Sequence, residues 1–230
     1  MRVKKVLFCF VLLTISCAFT LPDPKLKSVD ELSIQLSASK GTSNTLVIYL
    51  TGDGGWNDFS QKLTQEFEKG GNGVVSLNTR KYFRNKRTPE IFAHDIEYLV
   101  TYYMKEWNKS SLIIVGYSFG ADVAAFLPGR LPHALLTKMN KLVLLSPSLS
   151  TDFVINLSDL IGDSQHKNRK YKLVPELNES TFPTVCIFGL NEDLNLKNIL
   201  IKKESLTIYE LPGGHHYKNN TALLAKMIGL

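Results

Sequence analysis

From Thr45 onward the chain alternates short runs rich in Val, Ile and Leu with longer stretches of helical period, and this alternation constrains the fold more than any other feature. Strands are expected over Thr45 to Leu50, Gly73 to Leu77, Leu112 to Val115, Lys141 to Leu145, Thr184 to Phe188 and Ser205 to Tyr209. Several are apolar at nearly every position, which suits strands covered on both faces rather than one. Helices are expected over Phe59 to Lys69, Pro89 to Trp107, Phe119 to Leu127, Asn195 to Ile201 and Asn219 to Ile228. Pro89 fits a first helical turn, where its missing N–H costs nothing, with Thr88 as the N-cap. The pattern predicts an α/β fold, a mostly parallel central sheet with helices on both faces. Leu32 to Leu36 adds a possible edge strand, and the polar, aperiodic residues 148–182 read as an excursion, a lid beside the site.

The first residues stand outside this scheme. Arg2, Lys4 and Lys5 precede the apolar run Val6 to Leu13, and the small residues Ser16 and Ala18 follow. That is the pattern of a secretory signal peptide, with cleavage expected after Ala18, so residues 1–18 are assigned to the leader, 19–40 to an N-terminal extension and 41–230 to one domain. Thr14-Ile15-Ser16-Cys17 offers a second arrangement, a lipoprotein box with Cys17 acylated. Loss of Arg2, Lys4 and Lys5, with no acid among the first 18 residues, takes the formal net charge from +6 to +3. This mild basicity argues against a nucleic-acid partner and permits attraction to an anionic membrane surface. Cys9 and Cys17 lie in the leader, leaving Cys186 alone, so the mature chain is expected to form no internal disulfide.

Chemistry enters with Gly116-Tyr117-Ser118-Phe119-Gly120, set directly after the strand ending at Val115 and before a helical pattern. A strand-to-helix turn this tight needs glycines two residues either side of the serine, and it exposes the hydroxyl at a helix N-terminus. Ser118 is therefore the candidate nucleophile. Its base is sought in Leu211-Pro212-Gly213-Gly214-His215-His216-Tyr217, after the last expected strand; His215 is preferred, with His216 facing the substrate or backing the base. The acid belongs after the penultimate strand, where Gly189-Leu190-Asn191-Glu192-Asp193 offers two carboxylates, of which Asp193 is preferred. The order Ser118, Asp193, His215 is that of the α/β-hydrolases, and the fold expectation narrows to that class.

Acyl transfer also needs two N–H donors for the developing oxyanion. Phe119 is expected to supply one and Asp53, in the glycine-rich loop Thr51-Gly52-Asp53-Gly54-Gly55-Trp56, the other. The Asp53 carboxylate then becomes a candidate partner for a cationic substrate group, or else a turn residue. Arg80, Lys81, Arg84, Lys86 and Arg87 follow the second core strand, also at a carboxyl end, and Arg84 and Arg87 are candidate phosphate contacts. Asp122, one turn beyond Ser118, is expected to hydrogen-bond inside its own first turn. There is no phosphate-loop motif and no helical histidine pair, so neither a metal nor another cofactor is expected.

Taken together, these stretches resemble the VirJ/AcvB family of secreted α/β-hydrolases. The resemblance rests on Thr51 to Trp56, Lys81-Tyr82-Phe83 with Arg87-Thr88-Pro89-Glu90, Gly116 to Val123 with Arg130-Leu131-Pro132, and Gly213 to Tyr217. It implies a periplasmic serine hydrolase acting on aminoacylated phosphatidylglycerol, particularly the lysyl form, with Ser118 as nucleophile and His215 as base. It also implies a link to virulence and type IV secretion, hence secretion-system proteins as partners beside an anionic or aminoacylated phospholipid. Two other readings fit the residues: a binding or assembly factor that uses the fold without turnover, and a general carboxylesterase or lipase.

Overall fold

Why the strand segments are apolar at successive positions is plain from the computed structural model, which describes residues 32–37, 43–155, 169–192 and 196–230. Along strand β2 (Thr45–Leu50), Leu46, Ile48 and Leu50 enter one hydrophobic cluster, and Val47 and Tyr49 enter another on the opposite face. Strand β4 (Ser111–Tyr117) divides in the same way, with Leu112 and Ile114 on one side and Ile113, Val115 and Tyr117 on the other. Each such side chain, fully buried, contributes about 1.5–3 kcal/mol.

Among the described residues the central sheet has seven strands, in the order β1-β3-β2-β4-β5-β8-β9. Strands β3 (Gly73–Leu77), β2, β4, β5 (Met139–Leu145), β8 (Thr184–Gly189) and β9 (Leu206–Leu211) run parallel, and the edge strand β1 (Ile34–Ser37) pairs antiparallel with β3. One face is covered by helices α1 (Asp58–Lys69) and α8 (Thr221–Ile228), the other by α3 (Pro89–Glu106) and α4 (Phe119–Ala124). Helix α1 buries Phe59, Leu63 and Phe67 at intervals of four, and Asn57 caps it by accepting from the Ser60 amide at 3.0 Å. Thr88 caps α3, with Pro89 in its first turn as expected. Short helices α2 (Thr79–Tyr82), α5 (His133–Leu136) and α7 (Leu196–Ile199) complete the connections.

The excursion after β5 is more structured than its polarity suggested. Ser150–Thr151 and Tyr171–Lys172 form a two-stranded ladder, β6 and β7, followed by helix α6 (Leu173–Glu179). Its stem is tied down: the Arg87 amide donates to the Phe153 carbonyl and the Ile155 amide to the Phe83 carbonyl, both at 3.0 Å. The expected signal peptide, Cys17 and Asp193 lie outside the described residues. Cys186 is buried in β8, and burial pushes its thiol up to about 12, so it stays protonated and packs as a small apolar group.

Candidate active site

The chain leaves β4 at its carboxyl end and reverses through Ser118 into α4. Ser118 has φ 52° and ψ −122°, a conformation that costs a non-glycine residue energy and is kept where the surroundings enforce it. Those surroundings are backbone. A Cβ on Gly116 would stand 2.5 Å from the Gly120 carbonyl oxygen, and one on Gly120 would stand 2.3 Å from the Leu50 carbonyl oxygen. Both glycines of the motif are thus required by close approach, and the helix can pack against β2 only because Gly120 lacks a side chain.

The Ser118 hydroxyl lies 2.9 Å from Nε2 of His215, and Nδ1 of His215 lies 2.9 Å from Oε1 of Glu192. An ionised carboxylate only accepts, so Nδ1 carries the proton and Nε2 is left as the acceptor for Ser118. Glu192 is buried, which alone would raise its pKa. Hydrogen bonds from His215, Ser146 and the Gly189 amide outweigh that burial and hold the carboxyl below its usual range. Of the two acids in the loop, Glu192 is the one brought to His215; Asp193, preferred from the sequence, lies outside the described residues.

The histidine loop depends on glycines and on long-range tethers. Gly213 takes φ 107°, and a Cβ on Gly189 would meet the Gly214 carbonyl oxygen at 2.4 Å, so the strand end and the loop can touch only at glycine. The Tyr117 hydroxyl donates to the His215 carbonyl at 3.1 Å and lies 2.8 Å from Nδ1 of His216. With its proton on the carbonyl, Tyr117 accepts from Nδ1–H of His216. Burial, then the nearby charge of His215, lowers the His216 pKa and favours the neutral ring.

The loop over Thr51 to Trp56 runs directly against the nucleophile, since a Cβ on Gly52 would lie 3.3 Å from Cβ of Ser118. Thr79 fixes this loop: its hydroxyl donates to the Thr51 and Gly52 carbonyls at 2.9 and 2.7 Å, and its amide donates to the Thr51 hydroxyl. Because the peptide is planar and trans, holding the Gly52 carbonyl turns the Asp53 N–H away from Thr79. The Phe119 N–H opens α4 and has no acceptor inside the helix. Asp53 is half-buried and close enough to His216 and Tyr117 to influence both electrostatically.

In the basic segment, Arg80, Lys81, Arg84 and Lys86 are exposed, and Arg80 packs beside Gly55. Arg87 turns inward: its guanidinium lies 5.1 Å from the centre of the Tyr82 ring, and its Nε is buried without a partner among the described residues. Asp122 departs from expectation. Its own amide is taken by the Ser118 carbonyl, and its buried carboxylate reaches out of the helix to accept from the Ser148 amide at 2.6 Å and the Ser148 hydroxyl at 2.7 Å. The sequence reading also missed Ser146, Thr79 and the hydroxyls of Tyr117 and Tyr217, all of which act across long stretches of chain. A groove of about 490 Å³ lined by His133, Glu176, Glu179 and Phe182 lies toward the amino ends of β5 and β8 and contains none of the residues around Ser118. Among the described residues no cluster of His, Cys, Asp and Glu is arranged for a metal ion, and no helix is long and apolar enough to cross a membrane.

Solved structures with the same architecture are α/β-hydrolases. An α/β-hydrolase enzyme from the metagenome of lagoon sediments at Mar Chica, MGS-MChE2, superposes with a TM-score of 0.61 at 17% identity, covering 85% of this chain and 93% of that one. MenH from S. aureus gives 0.61 at 14% identity over 85% and 96% of the two chains. Est1E from Butyrivibrio proteoclasticus, solved with ferulic acid bound, gives 0.58 at 14% identity over 85% and 91%. At such identities the likeness establishes the fold alone. Among curated protein sequences none matches the chain. The family model described as bacterial virulence protein (VirJ) matches residues 44–229, a span that takes in the serine turn, the Glu192 loop and both histidines, and the chain belongs to that family.

Proposed function

We propose that the protein is a periplasmic serine hydrolase that cleaves an ester, and that its substrate is the aminoacyl ester of lysyl-phosphatidylglycerol. The observation that carries the reading is the unbroken relay from Ser118 through His215 to Glu192, at 2.9 Å in each step. Ser118 Oγ attacks the ester carbonyl as His215 Nε2 takes its proton, and Glu192 stabilises the imidazolium. The N–H groups of Phe119 and Asp53 receive the oxyanion. His215 returns the proton to the departing glycerol oxygen, and water, activated by the same imidazole, then frees the amino acid from Ser118.

The substrate assignment draws on family membership and on the charge around the nucleophile. A lysyl ester carries two ammonium groups and a nearby phosphate. The Asp53 carboxylate and the neutral His216 ring offer acceptors to the former, and the exposed Arg84, with Arg80 and Lys81, offers cations to the latter. The periplasmic assignment draws on the leader-like first 18 residues.

Purified protein is incubated with vesicles containing lysyl-phosphatidylglycerol and, in parallel, with a neutral short-chain aryl ester. Wild type is expected to release lysine, and Ser118→Ala to release none above background. Hydrolysis of the aryl ester without lysine release would remove the lipid substrate and leave the esterase. Equal activity in wild type and Ser118→Ala would remove the mechanism altogether.

A further inference from the structure

Behind Glu192 stand two buried hydroxyls, those of Ser146 and Tyr217, that form no hydrogen bond with either the nucleophile or the imidazole. Ser146 Oγ lies 2.6 Å from Oε1 of Glu192, the same oxygen that faces His215. Tyr217 lies 2.5 Å from Ser146 Oγ and 2.8 Å from the Ile187 carbonyl oxygen. The proton direction follows from counting donors. An ionised carboxylate has none, so the single proton of Ser146 points to Glu192, and the single proton of Tyr217 is shared between the Ile187 carbonyl oxygen and Ser146 Oγ. Ser146 therefore donates to the Glu192 oxygen that also takes the His215 proton, and Tyr217 backs Ser146 with the part of its proton that the Ile187 carbonyl does not take. The Gly189 amide, at 3.1 Å, holds the other oxygen.

The backbone of these two residues is also unusual. Both Ser146 and Tyr217 have φ 51°, in the left-handed region that non-glycine side chains rarely occupy. Ser146 is held there by its amide, which donates at 2.8 Å to the Ile187 carbonyl that also faces Tyr217. Tyr217 is two residues past His215, so one loop delivers both the base and the hydroxyl that backs the acid. A change in the position of this loop reaches both ends of the His215–Glu192 contact at once.

We infer that Ser146 and Tyr217 are positioning residues of the hydrolase: they fix the Glu192 carboxylate and draw negative charge from the oxygen that faces His215, and so set how readily His215 is protonated. The inference rests on reading Ser118, His215 and Glu192 as a triad. Removing the Ser146 hydroxyl has two effects. The carboxylate is less firmly aimed, which slows reaction, and its charge is left to His215, which favours the imidazolium and moves the acid limb of the activity profile to higher pH. Other titratable groups facing the cluster are His216 and Tyr117, which feel Glu192, Cys186, which acts on Tyr217, and Asp122, which feels His215. None of them is hydrogen-bonded to Ser146 or Tyr217, so the variants leave them in place.

The test measures the second-order rate of labelling by a fluorophosphonate probe from about pH 5 to 9, on the full chain, with folding checked by circular dichroism. Ser146→Ala is expected to label roughly 10- to 100-fold more slowly than wild type, with its acid limb shifted upward. Tyr217→Phe is expected to shift the limb in the same direction with a smaller loss, roughly 3- to 10-fold, and to add little on top of Ser146→Ala because it acts through that residue. If Ser146→Ala does not fold, Tyr217→Phe decides alone. Wild-type rates and an unmoved limb in both variants overturn the inference. A slower rate with an unmoved limb marks a packing role and overturns it too. Labelling that does not depend on Ser118 overturns the triad itself, whereas labelling that needs Ser118 and ignores Ser146 and Tyr217 overturns only the positioning role.

Discussion

Glu192 and Asp122 each receive a serine hydroxyl from the segment that follows β5, Ser146 in one case and Ser148 in the other. Both carboxylates are buried and both lie close to His215, yet they are tuned in opposite directions. Glu192 collects donors from three separate places, His215, Ser146 and the Gly189 amide, and its carboxyl stays below the usual range. Asp122 collects two donors from one residue, and burial outweighs them, raising its pKa to about 6. Distance to a hydroxyl does not distinguish the two sites; the number of independent donors does, together with an imidazole able to take a charge. Glu192 is thereby kept as a permanent anion for the base. Asp122 is left as an anchor, tying the nucleophile helix to the start of the 148–182 excursion.

The comparison breaks most visibly at Glu192. Glu192→Gln keeps size and burial but replaces the acceptor that selects the His215 tautomer, and it is expected to lower kcat for an ester by about 10³- to 10⁴-fold with little change in KM. Asp193→Asn is the matching change at the neighbouring carboxylate, with an expected loss of less than about threefold. Steady-state kinetics on a chromogenic ester measures both. The reverse ranking, a large loss at Asp193 and a small one at Glu192, would exchange the roles assigned to these two residues.

The serine and histidine were legible in the sequence because backbone sterics mark them locally: Gly116 and Gly120 allow the close approach of the turn into α4, and Gly213 and Gly189 allow the loop to reach the strand ends. The parallel core strands were legible because burial on both faces leaves apolar residues at successive positions. The choice between Glu192 and Asp193 was not, because the two are adjacent in a loop with no period to orient either. Ser146 and Tyr217 were less visible still. Each is an ordinary residue whose role comes from partners 46 and 71 positions away. Asp122 was seen but expected to turn inside its own helix; with the Ser118 carbonyl already taking its amide, its side chain was free to reach across to Ser148.

A smaller effect, on stability rather than rate, sharpens the other side of the comparison. The Asp122 carboxyl has its pKa raised from 3.8 to about 6 in the folded chain, so between those values the native state holds more protons than the unfolded one. Stability therefore falls as pH rises through this window, and the cost persists in full above it, amounting to about 3 kcal/mol for a shift of this size. Asp122→Asn removes the titration while keeping the contacts: its carbonyl accepts from the Ser148 amide, its NH₂ donates to the Ser148 hydroxyl, and that hydroxyl turns to the Ser150 carbonyl, already at 3.1 Å. Urea unfolding is expected to find wild type and Asp122→Asn nearly equal at about pH 4, and the variant more stable by up to about 3 kcal/mol at pH 7. Parallel curves across the window would mean that the two Ser148 bonds already offset the burial of Asp122, and the opposition in direction between the two sites would be lost.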